Sequence, residues 1–269
     1  MHIGMYSTFK LARKYFHYYF AASNGKGHGI HSPFVFDFII NVLQDKKKYD
    51  CYQTIEKLRA ELLQNNTLID IEDHGAGSSV ILSNKRIVKD IAWSSLKNKN
   101  FAQLIYRIVK YYKPVTIIEL GTSFGITSSY MACGNPQSTV YTLEGEENIA
   151  LIAQSNFKKL GLKNIQLIKG DFNEGLPSLL QKINNVDLVF VDGHHLKTPT
   201  LQYFNWLLQK SSEQSVFIFD DIHWSAEMEE AWKQIQQHPT ATLTIDLFFI
   251  GIVFFNKDLK AKQHLVIRF

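Results

Sequence analysis

The chain has 269 residues, 45% hydrophobic and 13% aromatic, with a net charge of +4. That composition excludes a largely disordered polypeptide, and two cysteines, Cys51 and Cys133, are too few for a disulfide framework or a cysteine-rich zinc module. No apolar run of about 18 residues is present and no apolar leader core precedes a cleavage site, so a cytoplasmic protein without a membrane partner is expected.

Residues 9–22 read as a basic, aromatic amphipathic helix with Lys10, Arg13 and Lys14 among Phe16, Tyr18 and Tyr19. Asn24 to Gly29 is a glycine-rich break. Ser32 then caps, and Pro33 opens, a second helix through Val35, Phe36, Phe38, Ile39 and Leu43. A third helix is predicted at 52–63 and a fourth at 99–112, stopped by Pro114; residues 65–83, with Asp73 to Ser78 in their middle, read as irregular. Beyond residue 114 strands are predicted at 115–120, 139–144, 165–169, 186–191 and 215–220. Helices lie between them, near 126–133, 147–160, 174–183, 198–210 and 225–237. Such alternation with short connections means a doubly wound parallel sheet, and the nearly continuous apolar strands fit one covered on both faces. The last two strands, 242–249 and 250–255, have no helix between them, so one runs antiparallel to the other. The expected fold class is α/β, a doubly wound, mostly parallel seven-stranded sheet with an antiparallel last strand. Residues 1–98 are expected to form a helical extension and 99–269 the α/β domain.

Ligands of such sheets bind beyond the carboxyl ends of the strands, and here each parallel strand ends in an acid: Glu119, Glu144, Asp171, Asp192 and the pair Asp220-Asp221. The first is followed at once by a turn, Gly121-Thr-Ser-Phe-Gly125, where glycines let backbone approach a ligand closely. A carboxylate at that mouth suits a cationic or hydroxyl-rich ligand better than a phosphate. Glu144 ends the second strand, where an acid suits ribose hydroxyls. Capping explains a single acid of this kind, Asp171 in particular, better than it explains acids on five strands. Asp192, Asp220 and Asp221 end neighbouring strands, and three carboxylates there suit a hard divalent cation such as Mg²⁺; capping of the helix near Ser225 is the competing use of Asp220 or Asp221. His194, His195 and Lys197 follow on the same rim as candidates for a general base.

Taken together, these residues resemble the class I S-adenosylmethionine-dependent methyltransferases, and among them the cation-dependent, catechol-type O-methyltransferases. The resemblance covers roughly residues 90–256. It implies a Rossmann-like methyltransferase fold. It implies cofactor contacts from Glu119, Gly121, Thr122, Ser123, Gly125, Glu144, Asp171, Phe172 and Asp192, and a Mg²⁺-type site from Asp192, Asp220 and Asp221. Two departures stand out: Asp221 replaces the family's usual Asn, and the run Asp192-Gly-His-His-Leu-Lys197 carries histidines ahead of its lysine. The activity implied is methyl transfer to a hydroxyl of a small, aromatic acceptor, with His195, or failing it Lys197, taking the proton beside Asp192. Trp93, His223 and Trp224 are candidates to line the acceptor site, and the N-terminal helices, with His28 and His31, to cover it. Two alternatives compete. Lys10, Arg13, Lys14 and Lys46 to Lys48, interleaved with aromatics, allow an RNA acceptor, and a non-catalytic scaffold on the same fold would bind no cofactor. A nicotinamide oxidoreductase ranks lower, because the glycine spacing differs from Gly-x-Gly-x-x-Gly. A homodimer is expected by analogy of fold alone.

Overall fold

Apolar strands joined to helices by short turns decide the architecture. A computed structural model describes residues 5–23, 25, 32–71, 84–259 and 261–269. The glycine-rich break at 24–29 (apart from Gly25), His28, His31 and the 73–78 loop lie outside the described residues. In chain order the elements begin with α1 (Thr8–Ala21), then α2 (Pro33–Phe38) with a π-helical turn (Ile39–Leu43), α3 (Asp50–Gln64), β1 (Leu68–Ile71) and β2 (Asn84–Ile87). Next come α4 (Val88–Ser95), α5 (Lys99–Tyr112), β3 (Thr116–Leu120), α6 (Ile126–Gly134), β4 (Thr139–Glu144), α7 (Glu147–Lys159) and β5 (Ile165–Lys169). The chain continues through α8 (Phe172–Lys182), β6 (Val186–Val191), α9 (Lys197–Leu208), β7 (Ser211–Asp220), α10 (Ala226–Gln237), β8 (Leu243–Asp246), β9 (Ile250–Phe254) and β10 (Gln263–Val266).

The main sheet has eight strands in the order β10-β8-β9-β7-β6-β3-β4-β5. Strands β4 and β5 pair in parallel, as do β6 and β7, whereas β9 runs antiparallel to both β7 and β8. This is the mostly parallel, doubly wound α/β sheet read from the sequence. The eighth strand is β10, parallel to β8 at the edge. Strand β7 starts four residues before the predicted 215, since Ser211 pairs with Val186 and a register shift follows before Leu188 meets Val216. Ser215 closes that irregularity by donating its hydroxyl to the Val186 carbonyl at 2.6 Å.

Two compact units make up the chain. The first comprises Met1–Asp45, Thr116–Ile118 and Leu179–Phe269; the second comprises Lys46–Val115 and Glu119–Ser178. Within the first, β6, the later part of β7 and β9 are buried. Helix α1 lies in this unit, with Tyr18 and Ala22 packed against Phe248 and flanked by Leu11 and Tyr15. Within the second, α3, α4 and α5 pack with α6 around Ile55, Leu58, Leu62, Ile91, Tyr106 and Tyr130. Ser32 and Pro33 start α2 as expected, and α5 ends on left-handed Lys113 just before Pro114.

Candidate functional site

In the second unit the turn after β3 is held from below. Gly121 and Thr122 donate their N–H groups to the Leu143 carbonyl, at 3.0 and 3.1 Å, and Gly125 N–H bonds the Thr122 carbonyl. Ser123 N–H bonds Glu144 Oε2 at 2.8 Å. With these donors spent inside the turn, it is poorly suited to cradle phosphate, in line with the sequence reading. Gly125 has φ +79°, and a Cβ there would fall 2.3 Å from the Phe157 ring, so helix and turn pack too closely for any side chain. Ser123, at φ 47°, is left-handed without glycine's freedom.

Glu119 does not stand open to solvent at the mouth. It is fully buried, with Oε2 accepting the Ser128 hydroxyl and, at 2.6 Å, the Thr142 hydroxyl, which in turn contacts Thr122 at 2.5 Å. Oε1 has no hydrogen-bond partner. Burial pushes this carboxyl up to about 8, against the pull of the two hydroxyls. Glu144 is also raised by burial, although the Ser123 and Glu146 N–H groups counter that, the latter at 3.0 Å. Each of its oxygens retains acceptor capacity beyond one backbone donor. Asp171 is placed as a helix cap: its Oδ1 accepts from Asn173 N–H at 2.6 Å and its carbonyl from Gly175 N–H. Phe172 is buried.

In the first unit, ligand atoms of Asp192, His195 and Asp220 lie within 4.8 Å of one another. His195 Nε2 is 3.6 Å from Asp192 Oδ1, and Asp220 is buried. Backbone strain marks this rim: His194, His195 and Asp221 have φ of 63°, 33° and 52°. Asp221 is outside the convergent group; its N–H bonds the Phe249 carbonyl at 2.7 Å and its carbonyl accepts from Trp224. Neither acid is spent on the cap of α10, because Ser225 supplies it through the Met228 N–H. His194 Nδ1 contacts the Tyr203 hydroxyl at 2.7 Å. The Lys197 ammonium bonds Glu230. His223 sits between two carboxylates, Nδ1 2.9 Å from Glu229 and Nε2 2.8 Å from Asp246, while Trp93 is 82% exposed on α4.

Sequence reasoning passed over Thr142 and Ser128, the hydroxyls that hold Glu119, and Ser95, whose hydroxyl meets that of Ser123 at 2.7 Å. Period-two alternation along β4 was the available signal for Thr142, two residues before Glu144 on the same strand.

Residues 118–222 match the family described as a methyltransferase domain. That span holds the turn, Glu144, Asp192 and the Asp220-Asp221 pair. The fold is shared with an O-methyltransferase from Bacillus cereus solved with SAH, at TM-score 0.56 and 18% identity over 80% of this chain and 95% of that one. It is shared also with the O-methyltransferase TomG from Streptomyces achromogenes solved with SAM, at TM-score 0.55 and 16% identity over 81% and 96%. In sequence the chain is 38% identical over 80 residues to a tRNA (guanine-N(7)-)-methyltransferase of Mycoplasma mobile. That stretch is 30% of this chain and spans 40% of the relative's length.

Proposed function

We propose that the protein is an S-adenosylmethionine-dependent O-methyltransferase that acts on a hydroxyl of a small, aromatic acceptor with help from a divalent cation. The convergence of Asp192, His195 and Asp220 is the observation that carries the oxygen-directed part of this reading. Both absent groups fit the residues present. Glu144 keeps acceptor capacity for ribose hydroxyls, and Glu119 Oε1 is a buried polar atom without a hydrogen-bond partner. The carboxylates of Asp192 and Asp220 suit a hard cation such as Mg²⁺, and the His195 imidazole lies beside them.

The methyl donor, when bound, supplies an electrophilic methyl, and the cation lowers the pKa of an acceptor hydroxyl. The chain's own part is to hold and to move a proton. Glu144 orients the donor's ribose. Asp192 and Asp220 would hold the cation. His195 Nε2 takes the hydroxyl proton, and the Asp192 carboxylate 3.6 Å away stabilises the imidazolium that results. Lys197 is the weaker candidate for base because its ammonium is already bound by Glu230.

Asp192→Ala should abolish chelator-sensitive methyl transfer to a catechol-type acceptor while S-adenosylmethionine still binds, as read by calorimetry. Full transfer by that variant, or by the wild type in excess chelator, would sink the metal assignment. Transfer to RNA is the second reading, supported by the stretch similar to the tRNA methyltransferase. Labelled methyl appearing in tRNA but in no phenolic acceptor would favour it, and no binding of S-adenosylmethionine at all would leave a scaffold.

A further inference from the structure

Helix α1 is fastened at both ends and along one face. Tyr6 N–H bonds the Trp224 carbonyl at 3.1 Å, Ser23 N–H bonds the Val266 carbonyl at 3.0 Å, and the Tyr18 hydroxyl donates to the Ile267 carbonyl. Lys14 reaches Glu229 at 2.8 Å on the same inward side. A helix docked this firmly should turn a polar face to water. This one does not. Phe9, Phe16 and Phe20 are 81%, 66% and 67% exposed, and their spacing sets them on one stripe. The Phe16 and Phe20 rings pack on each other with centroids 4.7 Å apart. Exposed Lys10, Arg13 and His17 flank the stripe on one side, and no acidic residue occurs anywhere in the helix sequence.

We propose that α1 is an interfacial helix that lays this phenylalanine stripe on the surface of an anionic lipid bilayer. Apolar aromatics on one face with basic residues at its border are what such a surface selects, the rings entering the acyl boundary and the cations meeting headgroup phosphates. At 14 residues the helix is about 21 Å long, enough to lie in the interface and too short to span. Fixed ends mean that the stripe is presented already helical, so binding does not have to order it. A second copy of this chain fits less well. A two-fold contact would set the same patch against itself, bringing Lys10 and Arg13 toward their own copies with no acid on the helix to answer them. RNA fits less well too: rings tilted 56° against each other leave no parallel platform for successive bases.

Sedimentation of the full chain with phosphatidylcholine vesicles containing phosphatidylglycerol, and with phosphatidylcholine vesicles alone, tests this. Binding is expected to the anionic vesicles, to weaken with salt, and to fall roughly tenfold or more in Phe16→Ser/Phe20→Ser. Lys10→Glu/Arg13→Glu should lose the preference for anionic lipid. Both double variants alter exposed positions, and unchanged S-adenosylmethionine binding and near-ultraviolet dichroism would show that they fold. Four results would overturn the proposal: no vesicle binding, vesicle binding indifferent to the Phe→Ser pair, equal binding to neutral vesicles, or a Phe-dependent dimer or RNA complex in place of vesicle binding.

Discussion

Glu119 is a carboxyl group kept where ionisation is costly. Two hydroxyls serve one of its oxygens and nothing serves the other, and burial holds its pKa near 8 rather than 4.5. Below pH 4.5 the group is protonated in folded and unfolded chains alike, so it adds no pH dependence there. As pH rises from 4.5 toward 8 the unfolded chain releases a proton that the folded chain keeps, and stability falls; above 8 the loss is complete. Glu119→Gln keeps the shape and removes the titration. Its thermal midpoint relative to the wild type should therefore climb across that window, and parallel midpoint curves for the two proteins would refute the burial argument. At this scale the sequence was legible where chemistry follows from position on a strand. Asp192 and Asp220 were read from strand ends and do converge. His195 and not Asp221 lies with them, and both residues have left-handed backbone, which composition does not signal. The depth of Glu119 was equally hidden, because it depends on Ser128 and Thr142 arriving from other elements.

Among elements, α1 shows how a few charges set an attachment. Glu229 receives the Tyr6 hydroxyl at 2.8 Å, both the Lys14 ammonium and His223, while His223 also meets Asp246. Burial alone would lower the His223 pKa, but the Asp246 and Glu229 carboxylates outweigh it and raise the imidazole above 6.5. Burial likewise opposes ionisation of Glu229, yet Lys14, His223 and Tyr6 bring its pKa below 4.5. The signs differ. The His223 contribution is whole below pH 6.5 and is lost as pH rises through the raised folded value; the Glu229 contribution is whole above pH 4.5 and is lost as pH falls through the lowered one. Docking of α1 should be firmest between those limits. Amide protection factors in α1 should drop as pH rises above 6.5, and Glu229→Gln should cost about 1–3 kcal/mol of local stability. Protection that is flat with pH and untouched by the substitution would remove these charges from the account. Elements with long apolar runs were legible in the sequence; short, polar ones were not. Strands β1 and β2 are four residues each with Asp70, Lys85 and Arg86 among them, and α4 has eight residues and no side-chain cap. Their order comes from pairing and packing, which no local pattern of so few residues announces.

Across the molecule, the two ends of the described chain are bound into one edge of the first unit. Strand β10 extends the sheet in register from Gln263 opposite Leu243 to Val266 opposite Asp246, and Ile267 is fully buried. Ile267 N–H bonds the Asp246 carbonyl at 3.0 Å, and its own carbonyl takes the Tyr18 hydroxyl. Arg268 N–H returns to Ser23 at 2.9 Å, and its guanidinium lies 4.2 Å over the Tyr19 ring. The sequence beyond residue 256 offers four alternating residues as its only regular signal, so this role was invisible before α1 was seen against it. Removing residues 261–269 strips one buried Ile side chain and several backbone bonds, a loss of about 3–6 kcal/mol. For a chain of this size the midpoint should fall by roughly 10 °C. The same truncation should unfasten the C-terminal end of α1, so its amides should exchange faster than those of α10, while the turn after β3, whose bonds lie within the second unit, keeps the S-adenosylmethionine affinity proposed for it at low temperature. A truncated protein with an unchanged midpoint, or with α1 still protected, would show that α1 is held by its Glu229 contacts and its aromatic packing alone.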